Sequence, residues 1–262
     1  MFLDISLTMS MPHFQPIAVP ERFRPEPDPA YVVERKLTGS ARLLPFALAV
    51  LDAWCLPDGE YPDGHVRSIY FETIRLDSYA EKANGDHLKT KIRLRWYGES
   101  VPDPDGTIPV FFERKNRIGI ARDKFRKNGR ADKRRLEETP LDDASFLDYV
   151  DRLSADAGIS EGFSRRPLLQ ISYQRRRWVS PLDGSRISLD WKICAERLNP
   201  KVFPWSEAAI PLTLPTIVCE FKNAGGVVPM WLPLLEEAGF RYSSFSKYGV
   251  FVTHLKEGTQ PV

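Results

Sequence analysis

From His87 to Gly98 the chain reads HLKTKIRLRWYG, with basic and apolar residues alternating for almost its whole length. Side chains of an extended strand point to opposite faces with period two. Lys89, Lys91, Arg93 and Arg95 therefore share one face, and Ile92, Leu94 and Trp96 share the other. The pattern recurs. FFERKNR (111–117) puts Glu113, Lys115 and Arg117 together, YQRRRW (173–178) puts Tyr173, Arg175 and Arg177 together, and TIVCEFK (216–222) sets Glu220 and Lys222 opposite Ile217, Cys219 and Phe221. YVVERKL (31–37) places Glu34 and Lys36 on one face, and the polar face of Arg186 to Ala195 carries Arg186, Ser188, Asp190 and Lys192. A single strand of this kind is ordinarily a surface strand with a solvated polar face. Several of them suggest one shared polar surface, which a closed barrel holds inside while helices cover its apolar exterior.

Between these strands the periodicity changes to that of helices. Leu43, Leu44, Ala47, Leu48, Leu51 and Trp54 form an apolar stripe on a helix that Ser40 can cap, running through Cys55 with Pro45 in its first turn. Shorter helices are expected at Leu76–Ala83 and Pro229–Phe240, and an acid-capped amphipathic helix at Asp142–Ala157 with Phe146, Tyr149, Val150 and Leu153 inward. Asn84-Gly85, the Pro/Asp/Gly cluster at 99–107 and Pro181-Leu182-Asp183-Gly184 mark turns, the last two closing hairpins. Lys124–Arg135 (KFRKNGRADKRR) reads as a solvated, mobile basic loop or as a phosphate contact at a tunnel mouth. With strands near 31, 66, 87, 109, 168, 185, 216 and a last one over Ser243–Leu255, the count is about eight, which suits a small closed barrel. The expected class is α+β: an eight-stranded antiparallel β tunnel barrel with flanking helices over residues 30–257, preceded by an extended Pro-rich arm over 1–29.

Composition adds limits rather than chemistry. A formal net charge of +2 gives no pointer to a nucleic-acid coat or a polybasic membrane binder, so the placement of charge matters more than its sum. Cys55, Cys194 and Cys219 stand apart with no metal-binding spacing, as expected of free thiols in a reducing cytoplasm. No basic leader with an apolar core and no apolar run long enough to span a bilayer occurs, so membrane association would go through a partner.

Taken in order, VERK, SIYFET, KIRLRWYGE, FFERKNR, YQRRRW, SRISLDW, CEFK and SFSKYG resemble the polyphosphate polymerase domain of the vacuolar transporter chaperone (VTC) family. That family belongs to the CYTH-like triphosphate tunnel metalloenzymes. The resemblance spans about residues 31–256, with RLRWYG followed by ERK its most specific part. It implies an eight-stranded tunnel barrel, a bound divalent metal (Mn²⁺ or Mg²⁺), ATP as substrate and polyphosphate as product. Position by position, it implies triphosphate contacts from Lys36, Arg93, Arg95, Lys115, Arg175, Arg186, Ser246 and Lys247, and a metal ligand in Glu220.

The chemistry is consistent with the residue types. Charge-assisted contacts from Arg and Lys are the strong ones for phosphate, and a hard divalent cation takes carboxylate and phosphate oxygens together. Lys91, Tyr173, Arg177 and Lys222 lie on the same charged faces and would extend the site beyond one triphosphate. Glu34 and Glu113 are further metal candidates, or else hold neighbouring Arg and Lys in place by ion pairs, and Asp190 has the same two readings. Larger eukaryotic members carry an inositol-phosphate-sensing domain and membrane helices. The present chain has room for neither, which implies work in the cytoplasm or at a membrane through a separate protein partner, with no role for nucleic acid. Two alternatives to the polymerase remain: a metal-dependent tri- or polyphosphatase, and a catalytically idle polyanion-binding module.

Overall fold

The structure is a computed structural model that describes residues 32–83, 88–98, 100–118, 121–158, 165–202, 210–224 and 228–257. The arm over 1–29 and the Asn84-Gly85 turn lie outside the described residues, as do the side chains of Lys89 and Arg117. The elements in chain order are β1 (Val32–Ser40), α1 (Leu44–Trp54), β2 (Leu56–Pro57), β3 (Asp63–Glu72), α2 (Asp77–Ala83), β4 (Leu88–Tyr97), β5 (Thr107–Ile118) and β6 (Ala121–Asp132). They continue with α3 (Lys133–Glu138), α4 (Ala144–Asp156), β7 (Arg166–Val179), β8 (Arg186–Leu198), β9 (Leu212–Thr213), β10 (Thr216–Ala224), α5 (Leu232–Glu237), β11 (Arg241–Tyr242) and α6 (Lys247–Glu257).

Local chemistry sets several boundaries. Ser40 Oγ accepts from the Arg42 amide and starts a single 3-10 turn before α1, which has Pro45 in its first turn. Asp143 caps α4 by accepting from the amides of Ser145 and Phe146. Gly239, with φ of 113°, ends the segment after α5 in a conformation that a side chain disfavours.

The strands form one antiparallel sheet in the order β11-β1-β10-β8-β7-β3-β4-β5-β6, with β2 paired to β7 and β9 to β8. It has eleven strands and is not closed, which corrects the expectation of an eight-stranded barrel. Two misreadings offset each other in the count, and the three further strands are the two-residue β2, β9 and β11. The basic run 124–135 is the edge strand β6 followed by α3, with charge on both faces as befits a sheet edge. The segment expected as the last strand is helix α6: its β-branched and aromatic residues alternate locally, but Tyr248, Phe251, Val252 and Leu255 recur at helical spacing and are buried.

The sheet is strongly curled. β5 lies six strand spacings from β1, about 29 Å away if the sheet were flat, yet Lys115 on β5 interacts electrostatically with Glu34 on β1 and Glu220 on β10. Outside, the apolar face of β1, β10, β8 and the end of β7 packs under α1 and α5, around Leu37, Leu51, Trp178, Phe221, Leu232 and Phe240. The outer face of β3 to β6 packs under α3 and α4, around Ile92, Leu94, Trp96, Phe112, Leu136 and Phe146. Inside, α6 fills part of the concave face, with Tyr248, Phe251, Val252 and Leu255 against Val66, Tyr70, Leu169, Ile171 and Val218. The rest of that face carries the charge.

Candidate functional site

Antiparallel register places the charged residues in transverse rows, because directly paired residues point to the same face. Glu34 pairs with Lys222 and Lys36 with Glu220 across β1 and β10, and the rows continue to Arg186 and Ser188 on β8. On the other arm Arg93 sits opposite Tyr70 on β3 and Glu113 on β5, and Lys91 opposite Lys115. On β7, Arg175 lies beside Asp190 and Arg177 beside Ser188.

The first cluster is a square of alternating charge. Lys36 Nζ lies 3.0 Å from Glu34 and 3.5 Å from Glu220, and Lys222 Nζ lies 3.6 Å and 3.5 Å from the same two carboxylates. Burial opposes ionisation of Glu34, but Lys36 and Lys222 overcome it and hold the carboxyl at about 2. Glu220 is also held below the usual range against burial, chiefly by Lys36, despite repulsion from Glu34.

In the second cluster Glu113, 3% exposed, is surrounded by cations. It accepts a 2.6 Å hydrogen bond from Arg93 Nε, and Arg95, Lys124 and Arg126 lie at 3.9, 3.8 and 3.7 Å. Against burial, Arg93 and Arg95 hold its carboxyl at about 2. Each arginine of this strand also touches a phenol: Arg93 Nη1 donates to Tyr70 Oη (3.3 Å), and Arg95 donates to Ser68 Oγ and Tyr173 Oη (both 3.1 Å). Lys115 faces the interior of the curl, where burial and the neighbouring Arg93 press its ammonium down to about 8 although Glu34 and Glu220 favour the charge.

The third cluster joins β7, β8 and α6. Asp190, 1% exposed, receives two parallel hydrogen bonds from Arg175 (2.6 and 2.7 Å) and one from Lys247 Nζ (2.5 Å). Despite complete burial, these cations hold its carboxyl well below the usual range. Lys247 also sits over the Tyr173 ring at 4.4 Å, and Lys91 Nζ donates to Ser246 Oγ at 3.0 Å. Ser246 in turn receives the Gly249 amide (3.3 Å), so one hydroxyl both starts α6 and meets the cationic strand.

Lys36, Lys91, Arg93, Arg95, Lys115, Tyr173, Arg175, Lys222, Ser246 and Lys247 thus line one concavity with Glu34 and Glu220. Arg186 is exposed beside Lys222 towards the rim, and Arg177 donates to the Tyr61 carbonyl (3.0 Å). The sequence reading passed over Tyr70, which looks apolar in SIYFET, although period two from Ser68 puts it on the polar side. It placed Lys124 and Arg126 in a basic run read either as a solvated, mobile face or loop or as a phosphate contact, and not as a strand.

The donor set suits a hard cation at one place. Glu34 and Glu220 are ionised, share the same two lysines and face the cationic wall, so they offer carboxylate oxygens beside it. No group of three or more His, Cys, Asp or Glu side chains able to hold a metal occurs among the described residues, so phosphate oxygens and water would complete the shell. Glu113 lies outside this pair, enclosed by four cations from β4 and β6 as in the ion-pair reading of it. The arrangement can therefore hold a polyanion on two walls with a divalent cation between the carboxylates.

The description "VTC domain" belongs to the family whose sequence model matches residues 26–256. No curated protein sequence matches the chain. Among solved structures, a Bacillus halodurans protein provisionally described as an adenylate cyclase is similar, at 14% identity and a TM-score of 0.41, over 79% of this chain and 87% of that one.

Proposed function

The chain belongs to the VTC domain family, and on that premise we propose that it is a polyphosphate polymerase that lengthens a phosphate chain with the γ-phosphoryl group of ATP. The observation that carries this reading is the facing of two unlike walls. Arg93, Arg95, Lys115, Arg175 and Lys247 supply fixed positive charge, and Glu34 and Glu220 supply the carboxylates a cation needs.

Phosphoryl transfer asks little covalent work of a protein, so positioning and charge neutralisation carry most of the catalysis. An oxygen of the terminal phosphate of the chain attacks the γ-phosphorus and forms a new P–O–P link. The bond from the γ-phosphorus to the β,γ-bridging oxygen breaks, and its electron pair leaves on ADP. The terminal phosphate is already anionic, so no general base is required. In this reading Arg93 and Arg95, oriented by Glu113, and Arg175 and Lys247, oriented by Asp190, hold the triphosphate oxygens, while Lys115, Lys36 and Ser246 steer the acceptor. Glu220 and Glu34 would hold Mn²⁺ or Mg²⁺, which when bound neutralises charge on the transferring phosphoryl oxygens. Lys91, Tyr173, Arg177, Lys222 and Arg186 would contact the rest of the chain. No described helix is long and apolar enough to cross a membrane. We place the protein in the cytoplasm, with attachment through a membrane-protein partner as the alternative.

The test is incubation with ATP, Mn²⁺ and a short polyphosphate primer, followed by gel analysis of chains and a separate assay of free phosphate. Polymerase activity gives ADP and acid-labile chains with little early free phosphate, and Glu220→Gln abolishes most of it while the variant remains folded by circular dichroism. Free phosphate appearing in step with ADP, without chains, would replace this reading by the triphosphatase.

A further inference from the structure

Tyr70 is the one residue at the centre of the cationic wall to which the preceding reading gives no task. Its ring is 7% exposed and stacks on Tyr248 of α6, with centroids 5.3 Å apart and planes at 23°. Its oxygen accepts from Arg93 Nη1 at 3.3 Å, and Arg93 is its only hydrogen-bond partner among the described residues. A guanidinium has donors and no acceptor, so this contact occupies a lone pair of the phenol and leaves its proton to go elsewhere. Tyr173 stands in the same relation to Arg95 at 3.1 Å. Each arginine of β4 that would bind phosphate is therefore paired with a phenol whose proton must find an acceptor, and a buried polar proton is costly to leave without one.

We propose that Tyr70 is a ligand-contacting residue: its hydroxyl, fixed by Arg93 and the Tyr248 stack, donates to a phosphoryl oxygen held between Arg93 and Lys247. This rests on the polyphosphate-site reading and deepens it. The charged surroundings agree with it. Arg93 and Arg95 from β4 and Lys247 from α6 act on the hydroxyl and, against burial, hold the phenol down at about 8. Tyr248 from α6 is directed away, donating to Glu72 on the same strand as Tyr70. The neutral phenol is then the binding form. An anion bound against it raises its ionisation point, because a phenolate beside phosphate is repelled.

Tyr70→Phe removes the hydroxyl and keeps the ring for the stack. Binding of inorganic tripolyphosphate at pH 7, measured by calorimetry, should weaken about tenfold, as expected for loss of a hydrogen bond to a charged group. Lys115 loses charge in the same alkaline window, so affinity at high pH does not isolate Tyr70, whereas tyrosinate absorbance near 295 nm does. The parent should show a transition near pH 8 that moves upward with saturating tripolyphosphate and is missing from Tyr70→Phe. Equal affinity of parent and variant at pH 7, or a transition that tripolyphosphate does not move, overturns the role of Tyr70 while leaving the site reading in place. A parent protein that does not bind tripolyphosphate overturns both.

Discussion

A carboxylate enclosed by cations stabilises a fold only while it is ionised. Asp190 with Arg175 and Lys247, Glu113 with Arg93, and Glu34 with Lys36 all have folded ionisation points below those of the unfolded chain, where they titrate near 4. Groups depressed in this way contribute stability that is fully present above about pH 5 and is lost as pH falls towards 2. Urea midpoints should therefore fall most steeply between about pH 4 and 2, and Asp190→Asn should flatten part of that fall. Removing the Asp190 charge leaves two cations unpaired in a buried place, so the variant should also lose about 3 to 5 kcal/mol at pH 7. A variant as stable as the parent would mean that Arg175 and Lys247 find solvent instead. At this scale period two in the sequence showed which residues share a face, and Lys36, Arg93, Arg95, Arg175 and Glu220 were legible on that ground. It could not show who pairs with whom. Glu113 and Asp190 kept two readings because ion pairing depends on neighbouring strands far away in sequence.

Helix α6 shows the corresponding limit for an element. SSFSKYGVFVTHL has strand-like composition, and only the packing of Tyr248, Phe251, Val252 and Leu255 into the concave face settles it as a helix. The outer helices were easier, because α1 and α4 carry their apolar stripes against sheet faces that alternate cleanly. Since α6 begins at Ser246 and Lys247, its seat also sets their position. Phe251→Ala and Phe146→Ala each empty a fully buried site and should each cost about 3 to 5 kcal/mol. Phe251→Ala alone should also weaken tripolyphosphate binding, because Phe146 belongs to α4 on the outer side of the sheet. Chemical denaturation and calorimetry on the two variants check this. Equal affinities would detach the helix from the site.

For the whole molecule the decisive property is that the curl stays open while like charges face each other across it. Lys115 on β5 and Lys124 on β6 both lie within electrostatic reach of Lys222 on β10, and their ammonium groups are held below the usual range by burial and by cationic neighbours. Opposition of this kind costs stability in the free protein and is relieved when a polyanion enters between the arms. Neither the open edge of the sheet nor this opposition was legible in the sequence, because both depend on how far eleven strands curl rather than on any one of them. A ligand that binds only the folded state at one hundred times its dissociation constant adds about 2.7 kcal/mol. Tripolyphosphate should accordingly raise the melting temperature, and 0.5 M NaCl should reduce the gain, since salt screens the exposed cations Lys124 and Lys222 although it acts less on the buried ones. Lys115→Ala and Lys222→Ala remove cations from opposite arms, so each should lower the gain at fixed ligand concentration. If only one of them does, the polyanion lies along a single arm and does not bridge the curl.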